Sequence, residues 1–378
     1  MAKTAKPDKG AYEIESVARA CQLLNCFRGR EDVLRLRDVV GRTGLNTATA
    51  FRILRTLEQY GLVERVGRTG YRSAVRTAKT ARYRFGYASQ GEDSTFAQEW
   101  TESIIQAASM ENVELLFYDN GYEPEKSLQN AEKRIREKVD LAIEHQFNEQ
   151  IAPILSAHFL EAKIPLIAMG AAHTGATYFG GNNYQAGLIA GRALGSFAKR
   201  EWKGQADQLL LAGMSMAGPL LRSRMTGVET GAREMLPHLQ NATYLEGTGH
   251  FGDTLELVRK HLRRTRHRRI LLGTVNDPCA LGALNAFEEA GWDDDYAIVG
   301  QGGAVEARHE LRRPRSRLIG TVAFFPEKYG EAIMRIAFDL LENRAVPSAV
   351  FTKHRLLTPH NIDHYYPNDM LLGRQSPA

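Results

Sequence analysis

Cysteine is scarce in this chain of 378 residues: Cys21, Cys26 and Cys279 are all it has. Three is an odd number and the spacing matches no metal-ligand pattern, so a disulfide framework and a zinc site are both excluded as organising features. The expectation is reduced thiols. Long apolar runs are missing as well. No stretch of eighteen apolar residues occurs, so no segment reads as a membrane-spanning helix. The opening MAKTAKPDKG is basic and no apolar stretch follows it, so the expectation is a cytoplasmic protein without a secretory leader. Nor is there an excess of one charge, with 49 Lys plus Arg against 44 Asp plus Glu. An apolar content of 43% and a charged content of 25% exclude wholesale disorder and fibrous repeats. At roughly 100–200 residues per domain, the length suggests two or three domains.

What charge imbalance there is sits at one end. Residues 1–80 hold 16 Lys/Arg and 8 Asp/Glu, whereas the remainder holds 33 and 36. A basic head on a mildly acidic body points to a polyanionic partner for the head alone. The head is also patterned. From Glu15 to Phe27 the apolar residues Val17, Ala20, Leu23, Leu24 and Phe27 recur at helical spacing. A short helix follows from Leu36 through Val40 and turns at Thr43-Gly44. Asn46 or Thr47 can then cap a third helix that runs to about Tyr60. In that third helix Ala50, Ile53, Leu54 and Leu57 form one stripe, while Ala48, Arg52, Arg55 and Gln59 lie opposite. Leu62–Val66, Gly67–Gly70 and Tyr71-Arg72 read as strand, turn and strand. Together these elements predict a winged helix-turn-helix over residues 12–73, with its third helix suited to the major groove.

The segments ESVARACQLL, LRLRDVVGRTGLNTATAFRILRTLEQYGLVER and GRTGYR resemble the DNA-binding domain of isocitrate-lyase-type (IclR) regulators. The chain departs from that pattern at the start of the recognition helix, where Thr47-Ala48 stands in place of a common Lys-Ser pair. Operator sequence therefore does not carry over. Six residues are the candidate DNA contacts. Arg52 is the base reader, since a guanidinium pairs bidentately with guanine. Thr47 and Thr49 suit phosphates or a thymine methyl, and Arg55, Arg68 and Arg72 suit phosphates.

After a polar linker at 74–80, strand-like and helix-like segments alternate. Tyr83–Ser89, Val113–Tyr118, Val139–Ile143 and Pro165–Met169 read as strands, and so do Gln208–Ala212, Thr243–Leu245, Arg269–Thr274 and Ala297–Val299. Helical patterns separate them. Such βα repeats imply parallel sheets covered by helices on both faces, and nearly 300 residues is long for one sheet, so two lobes are expected. The segments VDLAIEHQ, IPLIAMG, GGNNYQAGLIAGRAL, RSRMTGVETG, NDPCALGALNAFEEAG, IVGQGG and IGTVAFFPEKYGE follow one another in that order. They resemble the type I periplasmic-binding-protein fold, nearest to ribose-type sugar-binding proteins and lactose-repressor-like effector domains, over about residues 81–370.

That resemblance implies an α/β, two-lobed ligand-binding domain. Its candidate ligand contacts are Ser89, Phe96, Gln146, Arg222, Asn276, Gln301 and Phe324, with Phe96 placed to stack on a ring and Arg222 as the pocket arginine. The chain departs from the pattern at three places. An Asp-Arg pair falls on Gly170-Ala171, a later aspartate on Gly302, and a glutamine on Phe324. Carboxylates accept from several sugar hydroxyls at once. A less hydroxylated, larger or acidic ligand therefore fits better than a ribose-like one.

Two motifs suggest an enzyme instead, and a third a second phosphate-binding surface. Gly247-Thr-Gly-His-Phe-Gly252, followed by Asp277, satisfies a dinucleotide fingerprint. The bland alternative is a glycine-rich loop leading to Asp253 as helix N-cap. Gly213-Met-Ser215-Met-Ala217 resembles a nucleophile elbow without its last glycine. Arg259–Arg269 carries seven Lys/Arg and two His, a second phosphate surface or, more simply, the solvated end of a helix. The ordered array around these motifs favours a regulator that needs no cofactor, no metal and no catalytic residue. The expectation is a homodimer binding double-stranded operator DNA and a small carbohydrate-like or acidic effector, behind a disordered tail at 1–11. A constitutive DNA-binding protein with a vestigial cleft, and an enzyme on a doubly wound fold, are the alternatives.

Overall fold

The computed structural model describes residues 14–27, 32–67, 69–74, 81–214 and 218–369. The basic tail at 1–11, most of the 74–80 linker, Arg68 and Ser215 lie outside the described residues. The chain divides into two compact units, Met1–Arg82 and Tyr83–Ala378.

The first unit runs α1 (Glu15–Leu24), β1 (Leu34–Arg35), α2 (Leu36–Thr43), α3 (Thr47–Gln59), β2 (Val63–Val66) and β3 (Gly70–Ser73). Gly44 closes the turn between α2 and α3 at φ 68°, a left-handed conformation that favours glycine. Asn46 then caps α3, its side chain accepting from the Thr49 amide at 2.8 Å. The stripe on α3 is buried at Ala50, Leu54 and Leu57, and it packs with Leu23, Phe27, Val39, Val63 and Tyr71 into one core. The hairpin of β2 and β3 gains β1 as a third antiparallel strand.

The second unit begins with β4 (Arg84–Ser89), α4 (Thr95–Met110), β5 (Glu114–Asp119), α5 (Pro124–Arg136), β6 (Leu141–Gln146), α6 (Ala152–Glu161), β7 (Leu166–Gly170) and β8 (Thr177–Gly181). It continues with α7 (Asn183–Trp202), β9 (Gln208–Met214), α8 (Gly218–Met235), β10 (Ala242–Gly247), α9 (Phe251–Leu262), β11 (Ile270–Thr274), α10 (Asp277–Glu289), β12 (Tyr296–Gly302) and α11 (Val305–Leu311). It closes with β13 (Leu318–Ala323), α12 (Tyr329–Leu341), β14 (Ala349–Thr352), β15 (Arg355–Leu357) and α13 (Ile362–Tyr365).

Two six-stranded sheets result, in the orders β14-β8-β7-β6-β4-β5 and β10-β9-β11-β12-β13-β15. Every pairing is parallel except that of β13 with β15. Each sheet is the floor of one lobe, as the βα repeats predict. The chain passes between the lobes after β8, after β13 and after β14. Strand β8 and the elements beyond β12 escape periodicity: TYFGG ends in two glycines that read as a loop, and β14 and β15 span four and three residues.

Candidate functional site

The head presents one face of α3. Thr47, Ala48, Phe51, Arg52 and Arg55 are exposed along it, and Thr49 is half-buried behind the cap. The arginines differ in their engagements. Arg55 pairs with Glu58 at 3.1 Å, and Arg72 on β3 pairs with Glu64 at 2.7 Å. Arg52 has no side-chain partner among the described residues, so its guanidinium is uncommitted. Phe51 was not singled out from sequence, because an aromatic beside a buried stripe reads as core. In the structure it is 45% exposed, one residue from Arg52.

The body holds a cleft of about 470 Å³ between its lobes. It lies beyond the carboxyl ends of the parallel strands, where α/β sheets bind ligands. Phe96 reaches it from the first turn of α4, Asn276 from the end of β11, Gln301 from β12 and Phe324 from the loop after β13. Phe96 and Phe324 meet edge to face at 6.4 Å, and Phe96 meets Trp100 at 5.9 Å. Asn276 lines the cleft with a committed amide. Its Oδ1 accepts from the Cys279 amide at 2.9 Å, and its Nδ2 donates to the Gly249 carbonyl at 2.8 Å. Gln301 donates to the Thr274 carbonyl at 3.0 Å, and its Oε1 is left without a partner among the described residues.

Three expected contacts fall elsewhere. Ser89 ends β4 fully buried and is not on the cleft wall. Gln146 is buried with both ends of its amide engaged, donating to Ser127 Oγ at 3.1 Å and accepting from the Asn148 amide at 2.9 Å. Arg222 is exposed on α8. Two residues further is about 200° of helix, and the arginine that enters the cleft is Arg224, on the face that buries Leu221 and Met225. A sequence signal for this was available, since Leu221, Arg224, Met225 and Val228 share the helical spacing of a buried face. Arg224 Nε and Nη2 donate to Asn183 Oδ1 at 3.0 and 2.6 Å, and Nη1 donates to the Val275 carbonyl at 2.5 Å. Its guanidinium lies 4.6 Å over the Phe324 ring.

Trp100 and His145 also stayed out of the sequence reading. They stack at 4.2 Å on the wall formed by the first lobe. Burial pushes the His145 imidazole down to about 3, so it is neutral at physiological pH. Trp100 Nε1 and His145 Nε2 have no partner among the described residues. At the two positions where the resemblance places aspartates, the backbone excludes them: Gly170 sits at φ 85° and Gly302 at φ 133°. A Cβ on Gly170 would also come within 2.6 Å of the Gln146 carbonyl oxygen.

The lobes are tied across the cleft mouth by Thr95, which donates to Glu306 at 2.7 Å, and by Arg308, which donates to Glu99 at 2.9 Å and is held within its own lobe by Asp369 at 2.9 Å. The glycine-rich loop at 247–252 folds against its own helix. Helix α9 starts at Phe251, so Asp253 lies inside its first turn rather than at the cap, and its carboxylate accepts from the Thr248 amide at 2.6 Å. Asp277 is buried and accepts from the amides of Gly303 and Ala304 on one oxygen and from the hydroxyl of Thr321 on the other, so most of its acceptor capacity is spent on its own lobe. Arg259, in the basic run, is paired with Glu256 and Glu289. Among the described residues no group of three His, Cys, Asp or Glu could hold a metal ion, and no helix is long and apolar enough to cross a membrane.

Comparison with known proteins agrees with this architecture. Residues 16–67 match the IclR helix-turn-helix domain, and residues 85–345 match the periplasmic binding protein domain. No curated protein matches. Among solved structures, a protein from Mycobacterium smegmatis in complex with β-D-fucofuranose aligns at 21% identity and a TM-score of 0.64, covering 77% of this chain and 96% of that one. A solute-binding protein of an ABC transporter from Bacillus halodurans, with bound myo-inositol, aligns at 18% and 0.65, covering 77% and 99%. One from Actinobacillus succinogenes, with bound D-allose, aligns at 15% and 0.67, covering 75% and 100%. At these identities the likeness is one of fold. The chain thus belongs to the periplasmic binding protein domain family, and it carries an IclR helix-turn-helix domain ahead of that domain.

Proposed function

We propose that the protein is a ligand-responsive transcriptional regulator. Its head reads operator DNA as a homodimer, and its cleft binds a small carbohydrate-like or acidic metabolite. It acts in the cytoplasm, where its DNA is. The observation that carries this reading is the pairing, in one chain, of an uncommitted Arg52 on a recognition helix with a cleft whose buried walls retain unpartnered polar groups. Buried polar atoms without partners cost free energy, and a ligand that satisfies them stabilises the state that binds it. Sugars and polyols occupy several of the structurally similar proteins, which supports a hydroxylated or related small molecule here. Neither a dinucleotide nor a catalytic serine is part of this reading: the Asp277 carboxylate already takes three donors from its own lobe.

Ligand can shift operator affinity only by its differential affinity for the two lobe arrangements, about 1–3 kcal/mol or roughly 5–150-fold. The test is to select an operator from random DNA, then measure its affinity with and without each compound that raises the melting temperature. At least one such compound is expected to move operator affinity by that factor. Were every binder to leave it unchanged, the sensor reading would fail and a constitutive DNA-binding protein would replace it.

On the selected operator, Arg52→Ala is expected to cost about 1–3 kcal/mol, with a smaller loss on random DNA. Fluorescence anisotropy on both sequences decides it, and equal losses would remove Arg52 from base reading. Arg55→Ala and Arg72→Ala should weaken both sequences alike, because phosphate contacts carry no sequence information.

A further inference from the structure

Arg224 is a cation whose immediate partners are all neutral. Three of its five N–H groups donate to the Asn183 amide oxygen and the Val275 carbonyl, its face covers Phe324, and no carboxylate among the described residues lies within ion-pair distance of it. Burial lowers its pKa to about 10, which leaves it charged at neutral pH. A half-buried charge without an ion partner is held at a cost, so the remaining N–H groups, which face the cleft, favour an anion there.

The carboxylates that line the cleft do not meet that demand. Asp277 spends three of its acceptor positions on Gly303, Ala304 and Thr321 and reaches Arg224 only through a longer-range attraction, not as an ion pair. Asp93 is exposed and takes the Tyr122 hydroxyl at 2.7 Å, and Glu306 takes the Thr95 hydroxyl. Polyol hydroxyls are donors as well as acceptors and are best held by buried carboxylates. Here the two positions that could supply them are glycines at positive φ. The inner wall offers donors instead: Arg224 and Trp100 Nε1, with Gln301 Oε1 as an acceptor beside them. Around them stand aromatic rings, Phe96 and Phe324 foremost.

We propose that the cleft takes an organic acid, which sets its carboxylate against Arg224 and an apolar or ring-shaped body against Phe96 and Phe324. The proposal rests on the reading of the cleft as an effector site and narrows the chemistry of the effector.

The test uses the full-length protein and matched pairs of probes that differ at one group: galacturonate with galactose, gluconate with sorbitol, and 4-hydroxybenzoate with 4-hydroxybenzyl alcohol. Thermal shift and calorimetry are expected to show at least one acid bound tenfold or more tighter than its neutral partner, that is, by about 1.4 kcal/mol. Arg224→Gln should abolish that preference while leaving the neutral compound within about threefold. Asn183→Asp offers a second route that keeps the packing, since it places a carboxylate on Arg224 from within, and it should also abolish acid binding. Tighter binding by the neutral members, no binding by any acid, or equal effects of both variants on acid and neutral compound would overturn the proposal. A neutral sugar that binds and shifts operator affinity would sink the acid and leave the regulator standing. An acid that binds without touching operator affinity would do the reverse.

Discussion

Gly191→Leu is expected to lower the melting temperature of the body by about 10 °C or more. Helices α7 and α8 cross at backbone contact, with Gly187, Gly191 and Gly195 on one side and Gly227 and Gly231 on the other. A Cβ on Gly191 would overlap the carbonyl oxygen of Val228, one on Gly187 that of Arg224, and one on Gly227 that of Tyr184. On Gly231 it would stand 2.5 Å from the carbonyl oxygen of Leu188. Overpacking usually costs about 1–3 kcal/mol because a flexible neighbour can give way. Here the obstacle is the backbone of a rigid helix, so the loss should exceed about 4 kcal/mol. That corresponds to a fall of about 10 °C or more in melting temperature by circular dichroism. Gly252→Ala is the control, since nothing lies within 4 Å of its added Cβ. A Gly191→Leu protein that melts like the parent would show that α7 and α8 can separate. Arg224 rides on α8, so the crossing also positions the cleft cation.

The second large effect is expected at Arg134. This arginine is fully buried beneath β4 and β6 and pairs with Glu144, itself fully buried. Asn120 donates to the other Glu144 oxygen at 2.9 Å, and the Arg134 guanidinium lies 4.8 Å from the Phe159 ring centroid. The backbone of Gly86 leaves room for the arginine stem, because a Cβ there would stand 2.7 Å from Arg134 Cδ. Arg134→Met keeps the volume and leaves a buried carboxylate alone, at a cost of about 3–5 kcal/mol. Urea unfolding is the measurement. Adding Glu144→Gln should recover part of the loss, because removing both charges leaves none uncompensated. A loss under about 1 kcal/mol for the single variant would mean that water reaches Glu144.

Much of the architecture was legible in the residues. The α3 stripe of Ala50, Leu54 and Leu57, the Asn46 cap and the Gly44 turn are local features set by helical period and backbone freedom, and all stand in the structure as the pattern implies. The βα alternation of the body is equally local. Strand β8 was missed because its glycines carry no β signal, and β14 and β15 because three or four residues are too few to show a period.

The cleft was half legible. Phe96, Asn276, Gln301 and Phe324 line it, since residues at strand ends and in the loops beyond them are placed by the topology itself. Ser89 and Gln146 also end strands, yet they turn into the core, because a strand sends successive side chains to opposite faces. Arg222 and Arg224 face opposite ways, two positions apart on one helix; the helical spacing of Leu221, Met225 and Val228 points to Arg224, and the packing of those residues places it on the buried face.

By itself the sequence determined the division into a basic head and an acidic body, the type of each domain, and the absence of acidic side chains at 170 and 302. These follow from composition, period and residue identity. Tertiary structure decided which arginine lines the cleft, which amides are already spent, and that no carboxylate among the described residues forms an ion pair with Arg224. The physical reason is that these are relations among packed elements; Arg224, for one, meets Asn183 because the glycines of α7 and α8 let those two helices touch.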